Sequence, residues 1–144
     1  MRVLIQRSKK SSVSVDNKLV NEIDRGLVLL VGFTEGDDES TIDAMIKKII
    51  NLRIFDDEKG VMNKSILDVG GSILSISQFT LYADCKKGNR PSYLNALGGD
   101  KATLLYDLFN KKLNEFIETK AGIFGADMLI SIENDGPVTI WLEK

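Results

Sequence analysis

Ser77-Gln78-Phe79-Thr80-Leu81 sets two hydroxyls and a carboxamide around an aromatic ring, directly after the apolar run Ile73-Leu74-Ser75-Ile76. Ligands gather where such strands end. A hydroxyl without a basic neighbour is a poor nucleophile, so this segment is better suited to aiming backbone N–H groups at a carbonyl or a developing oxyanion. A strand that simply finishes in polar residues is the structural alternative. A second stretch, Asn134-Asp135-Gly136-Pro137-Val138-Thr139, holds one of only two prolines. Glycine ahead of proline relaxes the steric restriction on that position, so either peptide isomer fits. A rigid, exposed turn there offers carbonyl oxygens as fixed acceptors for an ammonium group such as the α-amine of an amino acid; otherwise it is a plain hairpin turn. A third stretch, Lys86-Lys87-Gly88-Asn89-Arg90-Pro91-Ser92-Tyr93, is the densest basic segment and ends in an aromatic. It suits either a few phosphates and a stacked base or a solvated loop.

The residues that are missing narrow the chemistry further. The chain has no histidine and one cysteine, Cys85. That removes Ser-His-Asp and Cys-His nucleophiles, histidine-containing zinc sites, all-thiolate metal sites, and any base titrating near neutrality in its unperturbed state. No metal or cofactor is expected. Gly70-Gly71, Gly98-Gly99 and Gly122-Ile123-Phe124-Gly125 lack the spacing of a nucleotide-binding fingerprint and read as turns. The acid pairs Asp37-Asp38 and Asp56-Asp57 lie in turn-like sequence, where adjacent carboxylates point apart. A net charge of −2 argues against bulk neutralisation of long nucleic acid. It leaves room for contact with one RNA end.

The elements that must position these groups can be read from periodicity. At 144 residues, 43% hydrophobic and 28% charged, the chain suits one domain spanning 1–144. No apolar stretch approaches the ~18 residues of a membrane span, the N-terminal apolar run is too short for a signal peptide, and the lone thiol suits the cytoplasm. Val3 and Ile5, then Val13 and Val15, alternate as strands, with Asp16-Asn17-Lys18 turning into Leu19-Val20. Gly26 to Phe33 reads as a central strand buried on both faces. Ile42, Met45, Ile46, Ile49 and Ile50 predict a helix capped by Asp37 or Asp38. Arg53-Ile54-Phe55 and Ser72 to Ser77 predict further strands. From Asp100, Leu104, Leu105, Leu108, Phe109, Leu113, Phe116 and Ile117 predict a long amphipathic helix. Met128 to Glu133 and Val138 to Leu142 predict a closing hairpin. The class is mixed α/β, with mostly antiparallel or mixed sheets and two main helices on one side.

The two signatures in this order, together with Leu4-Ile5-Gln6-Arg7, Gly26 to Gly32, Arg53-Ile54-Phe55, Met62-Asn63, Gly70-Gly71, Gly88 to Ser92 and Phe124 to Met128, resemble the D-aminoacyl-tRNA deacylase family over nearly the whole chain. The resemblance implies a three-layer β/β/α homodimer with active sites at the interface, acting on the acceptor end of tRNA that carries a D-amino acid. It implies that the Gly136–Pro137 peptide is cis and enters the partner's site, where its carbonyl oxygens hold the substrate amine and exclude an L side chain. Val138 and Thr139 complete that loop, and Arg7 supports it. Phe79 and Thr80 would give backbone N–H groups to the ester carbonyl, with Ser77 and Gln78 shaping the pocket; a nucleophilic Thr80 hydroxyl is the competing role. In family members the 2′-hydroxyl of the terminal adenosine takes part, which fits a chain without histidine. The implied reaction is hydrolysis of D-aminoacyl-tRNA, extending to glycyl-tRNA, as chiral proofreading. The alternatives are a non-catalytic tRNA-end binder, which would bind without turnover, and a dimer that binds free D-amino acids.

Overall fold

The computed structural model describes all residues, 1–144. Its organising strand is β1, Arg2–Val15, which alternates buried Val3 and Ile5 with less buried neighbours. β8, Leu129–Glu143, runs antiparallel along one edge of β1 for most of its length. The other edge is shared. The first half of β1 pairs with β3, Gly26–Gly32, and its second half with β2, Lys18–Ile23. Asp16 and Asn17 both take positive φ, 50° and 60°, as expected of the tight turn joining β1 to β2. β3 continues in parallel to β6, Ser72–Ser77, and β6 to β7, Thr119–Ala121. β4, Phe55–Asp56, and β5, Met62–Lys64, form a small separate ribbon followed by the short helix α2, Ile66–Val69.

Two packed interfaces explain the layering. On one sheet face α1, Glu39–Ile50, and α3, Gly99–Asn114, bury Ile42, Met45, Ile46, Ile49, Phe109 and Leu113 against Val3, Ile5, Leu27, Leu29 and Ile73. On the other, Val13 and Ile23 meet Val28, Leu74 and Ile76, with Met128, Ile130 and Ile132 packed alongside. Register shifts between Ser8 and Ser11 let β1 bend, so its second half, with β2 and the start of β8, folds over the face of β3 and β6. The result is sheet on sheet on helices.

Four expectations need correction. Val3 and Val13 belong to one strand, crossing an exposed Lys9-Lys10 where the bend occurs. The expected closing hairpin is absent: both halves of β8 run the same way along β1, with Ile130 opposite Val13 and Ile140 opposite Ile5. A turn-rich segment can be looped out of a strand as well as reverse it. The first-named strand residues Arg53 and Ile54 precede β4, which begins only at Phe55. In α3, Leu104 is 69% exposed and Phe116 lies beyond the helix at 57%, while Ala102 and Tyr106 take the buried positions. The inward stripe of α3 is Ala102, Tyr106, Phe109 and Leu113, with Leu105, Leu108 and Ile117 packed partly against the core, so of the expected stripe only Leu104 and Phe116 face solvent.

Candidate functional site

The C-terminal ends of β3 and β6 meet a single 3-10 turn, Phe79–Tyr82. Gln78 N–H donates to the Val31 carbonyl at 2.7 Å, holding that turn against β3. Gly32 permits the approach, since a Cβ there would lie 2.9 Å from the Gln78 carbonyl oxygen. The first N–H groups of a helical turn have no partner inside it, and no side chain caps this one, so those of Phe79 and Thr80 make no bond within the turn. Gln78 Nε2 donates to Thr80 Oγ1 at 2.5 Å. The Thr80 hydroxyl therefore accepts from an amide and meets no base.

Ser77, Gln78 and Phe79 border a cavity of about 300 Å³. Its opposite wall is the segment Phe124 to Met128 that follows β7, and Phe33, Leu97 and Ile76 close it with apolar surface. Beneath the wall, buried Tyr106 donates to the Ser75 carbonyl at 2.8 Å and packs its ring 5.7 Å from that of Phe124. The same carbonyl accepts from Gly122 N–H at 2.9 Å, which ties the start of the wall segment to β6. Burial raises the Tyr106 phenol pKa. Tyr82, the last residue of the turn, is pushed up to about 12, first by desolvation and then by the Asp37 charge. Neither phenol can serve as a base at neutral pH. Asp127 is the one carboxylate on the lining.

The second signature lies elsewhere on the chain. Gln6 and Ser8 are two positions apart along β1, whereas their partners on β8, Thr139 and Asn134, are five apart. The surplus loops out, carrying exposed Gly136 and Pro137 across a cis peptide. Gly136 takes φ +116°, and a Cβ there would sit 2.8 Å from Val138 Cγ2 and N and 3.3 Å from Arg7 Nη2. Asn134 closes the loop's neck, donating to the carbonyls of Arg7 at 2.9 Å and Val138 at 3.1 Å. Thr139 Oγ1 lies 3.2 Å from both Asn134 Oδ1 and the Pro137 carbonyl.

Arg7 braces this loop from inside. Only 7% exposed, it donates from Nη1 to the Ile54 carbonyl at 2.7 Å and more weakly to Asp56 Oδ1 at 3.4 Å. Its Nε lies 3.1 Å from Asp135 Oδ2, an ion pair by distance although the N–H does not point along that line. The contact is therefore mainly Coulombic.

Of the residues singled out in the sequence, Ser77, Gln78 and Phe79 line the cavity, Thr80 sits just behind its edge, and Arg7, Gly136 and Pro137 lie outside it. Val138 and Thr139 form the outgoing side of the loop. A single chain does not bring the two signatures together. Sequence reading missed the cavity wall Phe124 to Met128 as a binding surface, the Asn134 clamp and the Asp56 brace. An asparagine just ahead of a glycine-proline turn is a recognisable clamp signal, because its side chain mimics backbone hydrogen bonds. The wall carried no such signal, being a short turn-like stretch, Phe124-Gly125-Ala126-Asp127-Met128, with no hydroxyl or amide side chain.

The profile of a family described as D-Tyr-tRNA(Tyr) deacylase matches residues 4–143. A D-aminoacyl-tRNA deacylase of Clostridium tetani (strain Massachusetts / E88) is 55% identical over 145 residues, covering 100% of this chain and 97% of that protein. Among solved structures, a c-Myc DNA unwinding element binding protein superposes with a TM-score of 0.95 at 38% identity, over 100% of this chain and 99% of that one. A probable eukaryotic D-amino acid tRNA deacylase superposes at 0.82 with 18% identity, over 98% and 97%, a likeness of fold.

Proposed function

This chain belongs to the D-Tyr-tRNA(Tyr) deacylase family and hydrolyses the ester of D-aminoacyl-tRNA, and we propose that it does so as a homodimer in which each copy completes the other's site. The observation that carries the dimer is the separation of the two signatures: the cavity opens beside Phe79, while the braced Gly136–Pro137 loop stands exposed on another part of the same chain. A loop held that firmly and left bare fits a role in a second copy's cavity.

In this reading the N–H groups of Phe79 and Thr80 polarise the ester carbonyl and receive the charge that develops on its oxygen, acting where charge forms and needing no reorganisation. Carbonyl oxygens of the partner's Gly136–Pro137 loop accept from the substrate ammonium, and Val138 and Thr139 hold that loop's outgoing side. Ser77 and Gln78 fix the turn, and the cavity takes the amino-acid side chain. With ammonium and carbonyl both pinned, an L side chain points into the loop, whereas glycine has none to exclude. Water attacks the ester carbon, the carbonyl oxygen takes the charge, and the C–O bond to the ribose breaks. The absence of histidine and the raised phenols support a substrate hydroxyl, the 2′-OH of the terminal adenosine, as the group that moves the proton. The chain from 1 to 144 works as one domain, with no metal or cofactor required. No helix is long and apolar enough to cross a membrane. A tRNA substrate and a free, exposed Cys85 support a cytoplasmic site of action.

The test follows ester loss from D-tyrosyl-, L-tyrosyl- and glycyl-tRNA. Fast loss of the first and third with L-tyrosyl-tRNA intact is expected; equal D and L rates would remove the chiral role. A second result separates the two uses of Thr80. Thr80→Ala keeps its N–H and loses one hydrogen bond from Gln78, worth about 1 kcal/mol, so kcat falls no more than about fivefold. Loss of a true nucleophile would cost ~1000-fold or more in single-turnover rate with the fold intact.

A further inference from the structure

Resting on that deacylase reading, we propose that the hairpin tip Lys86–Arg90 is the subsite for the phosphodiester backbone of the tRNA's single-stranded acceptor end. The tip is closed at its base by a bridge in which Asp84 and Ser92 exchange N–H···O bonds of 2.8 and 2.9 Å, and Asp84 Oδ1 accepts from Lys86 N–H at 2.9 Å. Lys86, Lys87 and Arg90 are all exposed, and no carboxylate lies within ion-pair distance of any of them. From Cys85 to Gly99 the chain has no acidic residue. Several cations elsewhere are held by carboxylates, Lys112 by Glu39 and Asp43 and Lys64 by Glu58, and the unpaired Lys47 and Lys48 lie on α1, away from the cavity rim. In a chain of net charge −2, three unpaired cations on one short tip form a concentrated positive point.

That point is fixed relative to the cavity at several places. The Tyr93 ring meets the Phe79 ring edge-on, with centroids 5.1 Å apart. Thr34 Oγ1 donates to the Asn95 carbonyl at 2.7 Å, and Leu97 N–H to the Phe33 carbonyl at 2.8 Å. Phe33, Phe79 and Leu97 all border the cavity. An ester in the cavity trails the last phosphates of its strand out past this rim, toward the tip. Three cations are too few to track a duplex but suffice for a short single strand, where lysine acts as a point charge and arginine as a fork.

The test compares the wild type with the triple variant Lys86→Gln, Lys87→Gln, Arg90→Gln on D-tyrosyl-tRNA across salt. Removing three contacts to a single strand lowers the log–log salt slope of kcat/KM by about 2, so between about 50 and about 200 mM KCl the wild type loses roughly 20-fold more than the variant. kcat at saturating substrate stays within about twofold, because the cations touch no reacting atom. A Lys47→Gln, Lys48→Gln variant on the outer face of α1 keeps the wild-type slope. An unchanged slope in the triple variant, or a fall in kcat with KM intact, overturns the assignment. Binding of uncharged tRNA, read by fluorescence anisotropy on the same variants, tests the tip even if the wild type fails to hydrolyse the ester. In that case the deacylase reading falls and the subsite is judged alone. An equal loss of affinity for unrelated duplex DNA would mark a general polyanion grip and overturn the acceptor-end assignment.

Discussion

Gly136→Ala lowers kcat/KM on D-tyrosyl-tRNA by about 100-fold or more, because it moves the carbonyl oxygens proposed to hold the ammonium. A methyl group there would lie 2.8 Å from the Val138 backbone nitrogen and Cγ2, closer than packed carbons tolerate, and 3.3 Å from Arg7 Nη2. Neither neighbour yields easily: Val138 is tied through its carbonyl to Asn134, and Arg7 is buried. The loop must therefore shift, and a misplacement of ~1 Å at a positioning group can cost about 100-fold. The φ of +116° adds backbone strain of about 1–3 kcal/mol for any L side chain, a drop of several degrees in melting temperature. Steady-state kinetics beside a thermal melt separate the two effects. Wild-type turnover in the variant would show that the loop does not touch the substrate.

Arg7→Met has the second large effect, and it falls on stability as well as rate. The change keeps an apolar stem but removes the guanidinium and strands the Ile54 carbonyl, whose bond from Arg7 is buried, at a cost of about 1–3 kcal/mol. Asp135 and Asp56 also lose their partner, but their side chains are 39% and 51% exposed, so water replaces much of that attraction. The sum is about 2–4 kcal/mol, read from denaturant midpoints, with kcat/KM falling further because the loop loses its brace. Arg7→Lys recovers little, since one ammonium cannot span Ile54, Asp56 and Asp135 together. Full rescue by lysine would show that charge alone matters at this position.

The legible parts of the fold were those with a strong period. The stripe at Ile42, Met45, Ile46, Ile49 and Ile50, the continuous run from Gly26 to Phe33, whose strand ends one residue earlier at Gly32, and the turn at Asp16-Asn17 each reflect a local rule. What failed depended on distant partners. Whether Asn134 to Pro137 reverses the chain or is extruded from a continuing strand is decided by β1, whose Gln6 to Ser8 interval is too short to match it. In α3 the buried phase is set by what the sheet offers opposite Tyr106 and Phe109, so Leu104 could look inward by period and still face solvent. The Ser77–Phe79 edge was found from its chemistry. The wall from Phe124 to Met128 was not, because only the fold carries it to the far side of the cavity.

The division between the cavity and the looped-out segment separates two kinds of tolerance. Phe124, Met128 and Leu97 line the cavity with side chains, which single codon changes can enlarge or shrink. The Gly136–Pro137 loop offers main-chain oxygens, which no residue swap can replace. If the proposed dimer holds, libraries randomised over the wall would therefore broaden or narrow the range of amino-acid sizes accepted, while the choice of handedness, resting on main-chain atoms that every variant shares, would not change.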